Sequence, residues 1–157
     1  MKSKSTMALL LLWMLSLAIT ACNKGRVYES FQDLKALNWV VSDTVSFAVD
    51  SIDLGLDLNA IIGIRYNDKY EYNNLYLRYI LRDSVERIVT DSLLNIHLFD
   101  PRTGQPLGQG FGNRRIKYDT LPGNLVIPDA TFQFIQYMRK DSLAGIESVG
   151  LKIVNVE

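Results

Sequence analysis

The side chain with the most defined chemistry is Cys22, the only cysteine of the chain. It follows Ile19-Thr20-Ala21 at the end of an uncharged apolar run, residues 7–19, and Lys2 and Lys4 put positive charge ahead of that run. A short apolar core behind a basic start is the pattern of an export signal, whereas a membrane-spanning helix needs roughly 20 apolar residues. Small residues before a cysteine at this distance are what a lipoprotein signal peptidase requires. The spacing therefore predicts cleavage of residues 1–21 and a thioether-linked diacylglyceryl group on Cys22. One acyl chain binds a bilayer only marginally, and two or more make attachment durable. With its one thiol acylated, the chain has none left for a disulfide, a zinc–thiolate site or a cysteine nucleophile.

Other side chains with chemical potential are scattered. His97 is the single histidine, in a strand-like run with Leu93 and Phe99 on its face and no serine or cysteine partner, which fits a structural or surface histidine. Asp50, Asp53 and Asp57 flank one loop and have the chemistry to take calcium, but their spacing is not that of an EF-hand, and a solvated loop is expected. The glycines of 104–112 lack the Lys-Ser/Thr that follows a phosphate-binding loop, so they read as a hairpin connection or rim. Five tyrosines, Tyr66, Tyr70, Tyr72, Tyr76 and Tyr79, fall close together. Tyrosines on an exposed sheet face stack on sugar rings or fill protein interfaces. The candidate binding residues are thus Tyr72, Asn74, Tyr76 and Arg78. No catalytic residue, metal site or cofactor is assigned.

These residues must be positioned by strands. Trp39, Val41, Val45, Phe47 and Val49 recur near period two, as do Ile62, Ile64 and Tyr66, and Leu75, Leu77, Tyr79 and Leu81. The same holds for Leu94, Ile96 and Leu98, for Ala130, Phe132, Phe134, Gln136 and Met138, and for Val149, Leu151 and Ile153. Tyr79 should face inward with Leu77 and Leu81, and Tyr76 outward with Arg78. Turn formers separate the runs at Asn67-Asp68, Asn73-Asn74, 101–104, 108–113, Pro122-Gly123-Asn124 and Ala144-Gly145. The expectation is an all-β fold, an antiparallel sandwich of about 7–8 strands, in one domain over residues 39–157. Residues 22–38 form an anchor and lead-in. There, Phe31, Leu34 and Leu37 at helical spacing, with Ser30 and Asp33 resembling a capping box, fit two turns of helix or an extended arm.

Charge narrows the partners. The whole chain balances 17 Lys+Arg against 17 Asp+Glu, and removal of Lys2 and Lys4 leaves a formal −2. Neither nucleic acid nor anionic lipid is an expected electrostatic partner. Asn23-Lys24-Gly25-Arg26 carries no acidic cluster, which favours a periplasm-facing orientation if the chain comes from a bacterial group whose surface lipoproteins carry acids just after the cysteine.

The chain resembles the gliding-motility lipoprotein GldH family of Bacteroidetes. The resemblance runs through Cys22, Tyr28 and Trp39, the 43–47 strand, Ile64-Arg65-Tyr66-Asn67 and Tyr70-Glu71-Tyr72-Asn73-Asn74-Leu75-Tyr76-Leu77. It continues through Asp91-Ser92-Leu93, Asp100, Gly104, Pro106-Leu107-Gly108-Gln109-Gly110-Phe111, Gln136, Met138-Arg139 and the closing segment 143–153. It departs at Arg102-Thr103 and around Asn113-Arg114-Arg115. The resemblance implies a lipid-anchored, non-catalytic accessory protein of the gliding apparatus, linked to type IX secretion. Its partners would be the membrane, through Cys22, and other envelope proteins; no small-molecule substrate is implied. The alternative from the residues alone is a lipid-anchored carbohydrate-binding module using the outer tyrosines.

Overall fold

The computed structural model describes residues 25–50, 57–123 and 126–156; Cys22 and Asp53 lie outside them. In chain order the strands are β1 (Arg26–Asp33), β2 (Asn38–Val40), β3 (Thr44–Val49), β4 (Leu58–Asn67), β5 (Asn74–Arg82), β6 (Ile88–His97), β7 (Arg114–Thr120), β8 (Ala130–Gln136), β9 (Ser142–Ala144) and β10 (Ile146–Asn155). A first sheet has the order β1-β10-β4-β7 and a second β3-β8-β5-β6, while β2 and β9 form a short ribbon. All pairings are antiparallel. This is the all-β, sandwich-like architecture expected from the alternation, with more strands than the sequence suggested.

Alternation explains how the sheets meet. On β4 the buried side chains include Leu58, Ala60, Ile62, Ile64 and Tyr66, and the register sets Ile62 opposite Leu151 and Ile64 opposite Val149 on β10. On the second sheet Leu75, Leu77, Tyr79 and Leu81 of β5 face the same core as Phe132 and Phe134 of β8 and Val45 and Phe47 of β3. The Tyr79 ring stacks on both Phe134, at 5.6 Å and 20°, and Phe132, at 6.2 Å and 18°. Burial pushes the Tyr79 hydroxyl up to about 12. Each large apolar side chain buried in this way contributes about 1.5–3 kcal/mol. Gln32 of β1 donates its side-chain amide to the Ser46 carbonyl of β3, joining the two sheets along one side.

The helical spacing of Phe31, Leu34 and Leu37 does not produce a helix. Residues 26–33 extend as β1 against β10, and only Lys35–Leu37 coil, as a single 3-10 turn. The three side chains have three different surroundings. Leu34 is buried in the core, Leu37 is exposed, and Phe31 lies on the outer face of the first sheet. There one row crosses all four strands, Phe31 opposite Gly150, Gly150 opposite Gly63, and Gly63 opposite Tyr118. A Cβ at Gly150 would sit 2.3 Å from the Phe31 ring, and one at Gly63 would meet Phe31 and Tyr118 at 3.0 Å. Two glycines thus form a trough that two aromatic rings cover, which replaces the packing glycine lacks in a strand. The Arg65 guanidinium stacks on the same Phe31 ring, 3.8 Å from its centroid.

Candidate functional site

Of the expected binding residues, Asn74, Tyr76 and Arg78 alternate along β5, and Tyr72 precedes that strand. Tyr76 and Arg78 share the outer face of the second sheet, as alternation requires, and Tyr79 faces the core. Arg78 is engaged there by Asp91, through Nε to Oδ1 at 2.9 Å and Nη2 to Oδ2 at 2.6 Å. That pair lowers the Asp91 carboxyl below the usual carboxylate range. Asn74 donates its side-chain amide to Asn95 Oδ1 at 2.6 Å. Tyr72 packs edge-on against Tyr70, 5.6 Å between centroids, and rests on the core. Tyr70 is buried, donates its hydroxyl to the Asn74 carbonyl at 2.8 Å, and has its pKa raised by desolvation. Tyr76 is instead joined by exposed Leu93 and Tyr137 and by Met138 around a shallow depression of about 490 Å³.

His97 is exposed at the end of β6, opposite Asn74. Among the described residues no group of three or more His, Cys, Asp or Glu is placed to hold a metal ion, and no helix is long and apolar enough to cross a membrane. Cys22 and Asp53 fall outside those residues.

The more developed site lies at one end of the first sheet, where the glycine-rich segment folds as two consecutive hairpins. In the first, Leu107 N–H donates to the Leu98 carbonyl and Asp100 N–H to the Gln105 carbonyl, at 2.9 and 2.8 Å. Asp100 Oδ1 caps its turn by accepting the Arg102 and Thr103 amides, which lowers its carboxyl. In the second, Gln109 and Ile116 exchange both backbone hydrogen bonds, at 2.9 and 2.7 Å. Tyr66 holds the two together. Its buried hydroxyl donates to the Leu98 carbonyl at 2.7 Å and accepts the Gly108 amide at 3.0 Å. Desolvation raises its pKa. The glycines are there for space as well as for turning: a Cβ at Gly108 would lie 2.7 Å from the Ile116 carbonyl oxygen, and one at Gly110 2.1 Å from that of Arg114.

Tyr66→Phe removes both hydroxyl bonds, leaving the Gly108 amide without a partner and the Leu98 carbonyl with only the Leu107 amide, a loss of about 1–3 kcal/mol. The expected signature is local. Amide exchange at Gly108, Gln109 and Ile116 should accelerate more than exchange in β5 and β8. Uniform acceleration across both sheets would contradict this account of Tyr66.

So secured, the second hairpin carries Phe111 at its tip with 96% of its surface exposed. Beside it runs a groove of about 600 Å³. Its floor includes a second cross-strand row on the outer face, Ser148 of β10 opposite Arg65 of β4, and Arg65 opposite Ile116 of β7. Arg114 and Arg115 line the hairpin side and Leu37 the other rim. Two acids also border the groove. Glu147 Oε1 accepts the Asn67 amide at 2.7 Å and lies 3.4 Å from Arg114 Nε, and Asp33 ends the row on β1. Ser148 is fully buried, yet its Oγ has no hydrogen-bond partner. Buried polar groups are nearly always paired, and this one is an exception beneath the groove floor.

Sequence reading did not find this groove, because its members come from β4, β7, β10, the hairpin and the 3-10 turn. The one local signal was Phe111 between Gly110 and Gly112, an aromatic residue with no alternating apolar neighbour.

Comparison with known proteins agrees with the resemblance seen in the sequence. No solved structure matches the chain. A curated relative, "Gliding motility lipoprotein GldH homolog" of Christiangramia forsetii, is 28% identical over 144 residues, covering 85% of this chain and 86% of the relative. The GldH lipoprotein family model matches residues 26–153, from the first residue of β1 to near the end of β10. Every strand of the sandwich falls within or overlaps that match, and the chain belongs to the GldH lipoprotein family.

Proposed function

We propose that this chain is a membrane-anchored gliding motility lipoprotein that acts without catalysis, as an accessory component of the motility machinery linked to type IX secretion. The observation that carries the reading is the family match over residues 26–153, supported by the name of the relative from Christiangramia forsetii. Acylated Cys22 supplies the anchor, residues 1–21 are its signal peptide, and the sandwich, which begins with β1 a few residues after the anchor, faces the periplasm. Tethering confines the search for partners to a surface and raises their effective concentration. The absence of a nucleophile–base pair in the sequence supports a non-catalytic role.

The test is deletion of the gene in its native organism, with complementation by wild type and by Cys22→Ala. Colony spreading and release of type IX cargo are expected to fall, with rescue by wild type alone, and Cys22→Ala protein should leave the membrane fraction still folded. Normal spreading and secretion in the deletion strain would overturn the machinery reading; full rescue by Cys22→Ala would overturn the tether.

A second reading is favoured by Tyr76 and Tyr137, exposed on one depression of the second sheet. They offer the stacking surface of a carbohydrate-binding module, with Tyr72, Asn74 and Arg78 nearby in sequence. Saturable binding on a glycan array, lost in Tyr76→Ala, is its expected result, and binding indifferent to that substitution would remove it.

A further inference from the structure

We infer that the groove beside Phe111 is a docking site for an acidic, extended segment of a partner protein, with an apolar side chain of that segment seated on the Phe111 ring. The inference rests on the anchored-accessory reading for the partner's location and on the groove's own geometry for its chemistry.

Charge is the first argument. Arg114 and Glu147 pair with each other, and the remaining Arg65 and Arg115 outnumber Asp33 along the groove. Arg65 lies over the Phe31 ring, 3.8 Å from its centroid, a contact that uses none of its N–H donors on an acceptor. Planar guanidiniums pair best with carboxylates, two parallel N–H donors to two oxygens. The second argument is the floor. The fully buried Ser148 Oγ, which has no hydrogen-bond partner, lies on the same row as Arg65. The third is the rim. A phenylalanine with 96% exposure is unfavourable in water, and Tyr66, Gly108 and Gly110 hold its hairpin in a fixed pose. A rigid aromatic anchor surrounded by arginine is the composition of an interface hot spot.

Position points to a protein segment. The chain enters β1 at Arg26, opposite Val154, and the groove lies at the other end of that strand, where Asp33 is opposite Ser148. At ~3.3 Å per residue this separates it from the entry point by roughly 23 Å. The groove is thus at the end of the sheet opposite to the one by which the described chain enters β1.

The test uses the full-length chain, purified from native membranes in detergent, with Phe111→Cys carrying benzophenone maleimide. The labelled protein is returned to envelope fractions of the deletion strain, illuminated, and the adduct mapped by mass spectrometry. The expected adduct falls on a segment with clustered Asp or Glu beside an apolar residue. Arg114→Glu with Arg115→Glu should reduce its yield roughly tenfold or more, as reversal of close interface charges does. Lysines in place of the mapped acids should restore the yield to that charge-reversed variant, which a merely misfolded variant would not permit. Adducts confined to lipid or peptidoglycan, adducts on a segment without acids, no adduct, or a yield indifferent to charge reversal would each overturn the inference. Adduct formation is read without motility, so a normal colony phenotype would remove the machinery reading while this result still decided the chemistry of the groove.

Discussion

Gly145→Ala is expected to lose about 2–5 kcal/mol of folding stability, the sum of a left-handed backbone penalty and an overpacking penalty. Gly145 has φ +84 in the turn between β9 and β10, and a Cβ there would fall 2.3 Å from the backbone nitrogen of Tyr70. The neighbour is main chain and cannot swing aside. The turn is also a junction, since Gly145 donates its amide to the Leu37 carbonyl at 3.1 Å and accepts that of Asn67 at 2.9 Å. Moving it disturbs the end of β4 and the 3-10 turn together. Gly104→Ala is the matched control: φ is +69, but nothing lies within 4 Å of the added carbon. It isolates the backbone penalty, about 1–2 kcal/mol. Urea midpoints of the two variants measure the difference, and equal losses would mean that the close approach to Tyr70 is not what requires glycine at 145.

Trp39→Ala should be of similar or larger effect, about 3–5 kcal/mol. The indole is fully buried and anchors the β2–β9 ribbon, where Trp39 stands opposite Leu143. Its Nε1–H donates to the Asp43 carbonyl at 2.9 Å. Alanine removes the largest side chain of the core and leaves that carbonyl without its donor. Trp39→Phe keeps much of the volume and loses the bond, so its smaller deficit separates the two contributions. The chain has two tryptophans, and the other is Trp13 in the predicted signal segment. Fluorescence of protein lacking residues 1–21 therefore reports on Trp39 alone. Its emission should be blue-shifted in the folded state and shift red on denaturation; red emission before denaturation would contradict the burial.

Much of the sandwich is legible in the sequence because most strands bury one face and alternate accordingly. β5 is the clearest instance, with Leu75, Leu77, Tyr79 and Leu81 inward and Tyr76 and Arg78 outward. Where the rule weakens, so does the reading. β7, Arg-Arg-Ile-Lys-Tyr-Asp-Thr, lies at the edge of the first sheet and buries no side chain fully, so no period marks it. β1 is obscured differently. Phe31 packs outward over glycines of β10 and β4, a partnership set by register with strands distant in sequence, and the apparent helical spacing is coincidence. The groove depends on the same long-range register. Ser148, Arg65 and Ile116 become one row only when β10, β4 and β7 are paired, and nothing local in any of the three announces it.

The place of β10 in the first sheet has a kinetic consequence. It is the last described strand of the chain, yet it lies between β1 and β4, so the earliest strand has no neighbour in that sheet until the latest has been made. Such non-local pairing slows folding, because long loops must close before any bond rewards them. That order also makes the first sheet depend on the end of the described chain. A polypeptide lacking residues beyond 145 has no partner for β1 and loses both β4 and β7 from that strand's sheet. The first sheet therefore closes last at β1, and a chain cut short there lacks one whole edge of the sandwich while the second sheet keeps all of its strands.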